Sequence, residues 1–222
     1  MSIAKGPDRK ENLNKAIKSL GSITRFIKPG ETVVIKPNVA FASPASWGAT
    51  ANPDLIAELV KICLTQAKAK KVIVTDNPIN EPQSCFMISG IGKAAANAGA
   101  QILLPREHMF NPVTLKNGRL IKNWPVYTEP LKKVDKLIGV TPVKDHDRSN
   151  ASMTIKNFYG LLGGRRNIFH QDINTIIAEL SMLIKPTLVV LDGTDVMITN
   201  GPTGGSLSDL KRMNTLILSC DM

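Results

Sequence analysis

Four short apolar runs in this chain each close on a polar or turn-forming residue: VVIK at 33–36, VIVTD at 72–76, LIGVTP at 137–142 and LVVLD at 188–192. Such runs, rich in β-branched residues and without polar alternation, suit strands buried on both faces. Strands of that kind need a covering layer on each side, and the stretches between them supply it. Residues 52–67 carry a helical pattern with Pro53 in the first turn, where its missing N–H costs little. With the strands on either side this makes a βαβ unit. A helix around 91–97 leads into the run AQILLP, and Ile173, Ile176, Ile177, Leu180 and Ile184 are spaced to form one apolar helix face. NTLILSC near the end reads as a further buried strand. The expectation is an α/β fold: a mostly parallel, doubly wound, Rossmann-like sheet with helices on both faces.

One segment breaks the rhythm. VTLKNGRLIKNWPVY sets Asn117 and Gly118 between alternating residues, a hairpin signal, so residues 108–133 read as a hairpin insertion projecting from the sheet. The rest reads as a single α/β domain over residues 1–222. The chain stops directly after a strand, which leads us to expect further elements beyond it in the complete domain.

Composition narrows the function classes. An apolar fraction of 43% is that of an ordinary globular protein. No apolar run reaches the roughly 18 residues of a membrane span, and the N-terminus lacks the apolar core of a signal peptide. A soluble, cytoplasmic protein is expected. Cys63, Cys85 and Cys220 are far apart and odd in number, so they suit neither a disulfide framework nor an iron-sulfur or zinc site, and they read as small buried residues. The net charge of +10 favours anionic ligands. Lysines are spread along the whole chain, aromatics are only 5%, and no nucleic-acid-binding motif is present, which argues against a specific nucleic-acid partner.

Ligands of open α/β sheets collect at the carboxyl ends of strands, and the polar residues worth weighing fall there. Lys36 and Asn38 follow the first run, Asp76 the second, Lys144 and His146 the third, and Asp192 the fourth. Segment 143–171 adds Lys156, Asn157 and His170, and it holds two of the three histidines. His146 and His170, with Asp76, are candidates for proton transfer. With Asp192 the same histidines are candidate ligands of a divalent metal. Lys36, Asn38, Lys144, Lys156 and Asn157 are candidate donors to a phosphate or carboxylate. Lys36 ends an apolar strand and needs a partner there: Asp76, Asp192 or an anionic ligand. Arg165 and Arg166, beside Gly163 and Gly164, read either as an exposed basic loop or as a mobile anion clamp. The late NGPTGGSLSDL has the glycine content of a phosphate-cradling loop, with Gly204 as its candidate contact, or of a plain turn. It lacks the Walker lysine pattern, and no G-x-G-x-x-G follows the first strand.

The series VVIKPNV, ATANPDLI, VIVTDNP, VKDHDRS, TIKNFYGLLGGRRNIFH, LVVLDG and GPTGG resembles, in order, the blocks of the family catalogued as domain of unknown function 362. The most specific part is K-x-H at Lys144 and His146, paired with K-N-x-x-G at Lys156 to Gly160 and the later His170. ATANP departs from the threonine-rich form usual for that block. Many members of the family carry an appended ferredoxin-like cysteine cluster. This chain has none, so no iron-sulfur cluster carries over, and a ferredoxin-like partner becomes the corresponding expectation. A second likeness, to the N-terminal part of nickel-dependent lactate racemase, rests only on an α/β domain with separated histidines. Two function classes follow: an enzyme acting on a small anionic substrate, with or without a divalent metal, and a non-catalytic cofactor-binding or electron-transfer accessory protein.

Overall fold

The computed structural model describes residues 1–221, and the four apolar runs stand in one sheet. In chain order the elements are β1 (Ser2–Lys5), α1 (Arg9–Ser19), β2 (Thr32–Pro37), α2 (Pro53–Lys61), β3 (Lys71–Val74), α3 (Pro82–Ile88), α4 (Ile91–Asn97) and β4 (Gln101–Ile102). They continue with β5 (Phe110–Val113), β6 (Trp124–Tyr127), β7 (Lys136–His146), β8 (Asn150–Ser152), α5 (Thr154–Asn157), α6 (Ile173–Leu183), β9 (Leu188–Met197) and β10 (Leu210–Ser219). The main sheet runs β1-β10-β9-β7-β2-β3-β4, with β8 paired to the far end of β7. From β4 to β9 the neighbours are parallel, so Lys36, Asp76, Pro142 and Asp192 lie toward the same edge. The NTLILSC run departs from the parallel rule, because β10 is antiparallel to β9 and to β1.

The central strands are buried almost throughout, and successive side chains alternate between two cores, as a sheet covered on both faces requires. Val33, Ile35, Ile138, Val140, Leu188 and Val190 belong to a core shared with α1, α2 and α4. Their neighbours Val34, Leu137 and Val189 face the other way, into a core shared with Phe158, Ile176 and Leu180. Each buried aliphatic side chain contributes about 1.5–3 kcal/mol. A one-residue slip of any central strand would exchange its two faces, so the register is strongly specified. The helix expected over 52–67 is capped by the Asn52 side chain, which accepts from the N–H of Asp54 and Leu55, and continues past α2 as a wider turn over Ile62–Gln66.

The hairpin differs from expectation. Asn117 has φ +64° as such a turn requires, yet β5 and β6 are separated by the long loop 114–123 rather than a two-residue turn. Nor does that loop project. Leu115 and Ile121 are buried in the core that contains Ile176 and Leu180, because α6 offers an apolar face there that would otherwise be wet. Among the described residues no helix is long and apolar enough to cross a membrane.

The chain leaves β2 for β3 and β4 on one side, then returns to place β7 on the other side of β2. The space beyond the ends of β2 and β7 is therefore the switch point of the sheet, where loops diverge and leave a crevice.

Candidate functional site

Under that crevice lies an ion pair. Lys36, 1% exposed at the end of β2, places Nζ 2.7 Å from Asp76 Oδ1, just past β3. Nζ also donates to Asn157 Oδ1 at 3.0 Å, and Asn157 Nδ2 returns a bond to the carbonyl of Lys36 at 3.1 Å. Asp76 accepts from the N–H of Val39 and of Asn77. Gly160 packs directly against the pair: a methyl there would stand 2.5 Å from Asp76 Oδ1 and 3.0 Å from Lys36 Nζ. The K-N-x-x-G pattern thus has a local physical reason. Its asparagine holds the β2 lysine, and its glycine leaves room for the lysine's carboxylate.

Above this floor, β7 runs on past the core. Lys144 and His146 were expected in a loop beyond the strand end; instead the strand carries through them and turns back into β8, pairing Lys144 with Ser152 and His146 with Asn150. Two-residue spacing on a strand puts both side chains on one face, and both are buried. The Lys144 ammonium, 2% exposed, donates to the carbonyl of Ala49 at 2.7 Å, with Asn38 Oδ1 at 3.4 Å and the Pro202 carbonyl at 3.5 Å. It lies 5.4 Å from the centre of the Phe41 ring. All of these oxygens are neutral. Burial, reinforced by nearby Lys156, brings its pKa down to about 7, with Asp76 opposing and Lys36 adding to the fall. Lys156, 5.5 Å from the centre of the Tyr159 ring, is lowered to about 8 by burial first, against the pull of Asp147.

Arg166 supplies the next cation. Its guanidinium donates to the carbonyls of Gly160, Leu162, Asn77 and Pro78 at 2.9–3.2 Å. This anchoring rules out a mobile clamp, and only Arg165 remains in the exposed loop. Lys36 is neutralised by Asp76, but among the described residues Lys144, Lys156 and Arg166 have no carboxylate within ion-pair distance. The cavity they line, about 350 Å³, therefore carries a positive balance, with Asp147 exposed at its rim.

The two histidines line the same cavity, their rings nearly parallel at 11° and 5.7 Å between centres. His146 Nδ1 accepts from the N–H of Arg148 at 3.1 Å, which places the ring's proton on Nε2. Asp147 Oδ1 also lies 3.1 Å from Nδ1 and would pair with a charged ring. Burial, with Lys156 next in weight, pushes the His146 pKa down to about 4, so the ring is neutral at pH 7 and the Arg148 bond is the one that holds. His170 Nδ1 faces the carbonyl of Asn167 and the hydroxyl of Tyr159, each at 3.2 Å. A carbonyl can only accept, and the Tyr159 hydroxyl donates its own proton to the Arg166 carbonyl. His170 Nδ1 is therefore the donor, leaving the Nε2 lone pair free. Burial lowers the His170 pKa as well, so this ring too favours its neutral form.

Asn38, Asp76, Lys144, His146, Lys156, Asn157 and His170 thus meet at one cavity, with Lys36 beneath it. Two expected residues stand elsewhere. Asp192 is taken by Arg9, Nε to Oδ2 at 2.7 Å, in a separate pocket, so the metal trio with the histidines is not assembled. Among the described residues no group of three His, Cys, Asp or Glu side chains stands together as metal ligands. Gly204 turns away beside Met197, with φ +60°, and that loop reaches the cavity through Pro202 and Thr203 instead. Lys36 and Asp76 are engaged with each other, which makes them supports of the floor rather than open ligand contacts. His108 is exposed on the turn before β5. Sequence reasoning missed Tyr159 as part of the site and left Arg166 open between an exposed basic loop and an anion clamp. Tyr159 lies inside the K-N-x-x-G block and was within reach; the carbonyls that hold Arg166 come partly from residues 77–78, which no local pattern connects to it.

The model of the family described as domain of unknown function (DUF362) matches residues 33–222. A thylakoid-associated protein, sll1697, from Synechocystis sp. (strain PCC 6803) is 22% identical over 224 residues, covering 95% of this chain. The chain spans 65% of the length of that curated relative. Among solved structures, the lactate racemase apoprotein from Thermoanaerobacterium thermosaccharolyticum aligns with a TM-score of 0.47 and 13% identity, over 88% of this chain and 50% of that one. A Thermotoga maritima protein from a structural genomics programme aligns at 0.44 and 11%, over 86% and 52% of the two chains. With the family model matched across all but the first strand and helix, the chain belongs to the DUF362 family.

Proposed function

We propose that the cavity binds a small anionic substrate, a carboxylate or phosphate, and that the histidine pair moves a proton on it. One observation carries this reading: the buried Lys144 ammonium has only neutral oxygens for partners. Desolvating a cation without a counter-charge is costly, and a bound anion would offset that cost. Lys156 and Arg166 line the same cavity and extend the positive field. The histidines divide the proton work by tautomer. The free Nε2 of His170 suits a base, while the Nε2–H of His146 suits a hydrogen-bond donor to charge that develops as the proton leaves. Two neutral imidazoles beside fixed cations favour chemistry in which negative charge builds on the substrate.

The test is a panel of 2-hydroxy carboxylates and phosphate monoesters in D₂O, with NMR detection of deuterium entering carbon-bound positions. Lys144→Met should weaken anion binding roughly 10–100-fold, the worth of a charge-assisted hydrogen bond. His170→Asn should abolish exchange while leaving affinity within about threefold. Undiminished anion affinity in Lys144→Met would refute the binding reading, and undiminished exchange in His170→Asn would refute the assigned base.

A further inference from the structure

A second, larger cavity adjoins the cationic one. Asn77, Ile79, Arg166, Asn167 and His170 line both, so the two are immediate neighbours. The second space, about 870 Å³, changes in character: Pro78, Phe110, Pro125 and Leu162 form its sides. Gly163 and Gly164 add bare backbone, and a side chain on Gly163 would collide with Phe110, its Cβ 2.5 Å from Cδ1. Ile79, 63% exposed, stands at the junction, an apolar side chain left uncovered where the two spaces meet. Glu107 is exposed on this groove and disfavours an anion there.

We infer that the substrate has two parts: an anionic head held by Lys144 and Lys156, and an apolar, ring-sized body lying in the groove against Phe110, Pro125 and the glycine pair. The inference rests on the anion site proposed above and names the class of its substrate. Two features of the chain acquire a use in this arrangement. Phe110 belongs to β5 and Pro125 to β6, so the hairpin builds one wall of the groove. The Gly-Gly break extends that wall, its backbone bonded to the hairpin: the Gly163 N–H donates to the Pro125 carbonyl at 2.7 Å, and Trp124 Nε1 donates to the Gly163 carbonyl at 3.1 Å. Charge polarity sets the orientation, since cations line the smaller cavity and the groove offers apolar surface with a carboxylate. His170 and Arg166, at the boundary, would then face the atoms that join head to body.

Calorimetric titration of the full chain tests this with two matched pairs, inorganic phosphate against 1-naphthyl phosphate and acetate against 1-naphthylacetate. Within at least one pair the naphthyl compound should bind tenfold or more tightly, through the apolar area its rings bury. Phe110→Leu and Pro125→Ala should each reduce that advantage threefold or more and leave affinity for the simple anion unchanged. Thermal melts of both variants establish that they fold, and Pro125→Ala stands alone should Phe110→Leu unfold. Simple anions that bind, with naphthyl compounds no tighter in either pair, would overturn the two-part substrate and spare the anion site. A naphthyl advantage unmoved in a folded variant would place the rings elsewhere and overturn it equally. No binding in any arm would remove both readings.

Discussion

At neutral pH Lys144 stands near the middle of its titration, because burial and then Lys156 hold its pKa at about 7 rather than 10.5. Between those values the unfolded chain keeps a proton that the folded protein has released, so this group makes the fold more stable as pH rises through the window. Lys144→Met removes the contribution. Denaturant unfolding from pH 7 to 10 should show the wild type gaining stability relative to the variant. An anion beside the ammonium restores its charge, so binding at pH 8 should take up close to one proton. Calorimetry in buffers of different ionisation enthalpy reads that uptake directly, and none would mean that the anion does not sit at Lys144. Gly160 makes a different kind of demand. A methyl at this position lands on a buried ion pair whose members cannot swing away without losing their partners. Gly160→Ala should therefore cost about 1–3 kcal/mol by overpacking, measured by chemical denaturation.

Among the elements, the loop between β5 and β6 is held by one carboxylate. Glu179, buried on α6, accepts from the backbone N–H of Arg119, of Leu120 at 2.9 Å and of Ile121 at 2.8 Å. Burial would raise its pKa, but those N–H groups outweigh the burial and hold it below the ordinary 4.5. Its contribution to stability is present above that ordinary value and is lost as pH falls through the lower, folded one. Glu179→Gln keeps the shape and removes the charge. It should cost about 1–3 kcal/mol at pH 7 and speed amide exchange across residues 114–123. Below the folded pKa the wild type loses the charge too, and the difference should shrink. Unchanged exchange in the variant would mean that Leu115 and Ile121 hold the loop by packing alone. This loop also marks where sequence reading ran short. The Asn-Gly pair announces a turn correctly, but what the turn packs on depends on a helix some sixty residues later.

For the molecule as a whole, the parallel core was legible because each central strand is an uninterrupted apolar run with a polar end, a pattern that needs no knowledge of its neighbours. Lys144, His146, Lys156 and Asn157 were legible as a group because they crowd one segment next to such an end. What stayed hidden depends on distant pairing. Asp192 sits at a strand end like the others, yet Arg9, 183 residues earlier, claims it and removes it from the histidines. Nothing local marks Ser2–Lys5 as a strand either, since among the described residues it pairs with β10 alone, some two hundred residues later. That pairing has a consequence for how the protein is made. During synthesis the first strand leaves the ribosome with nothing to pair with, and it must wait until residues 215–218 emerge. The parallel centre of β2, β3 and β7 can assemble in the meantime, since all its strands are already outside. Ser2–Lys5 therefore stays an unpaired end while the parallel centre forms, and adding it to the sheet comes only after β10 has been made.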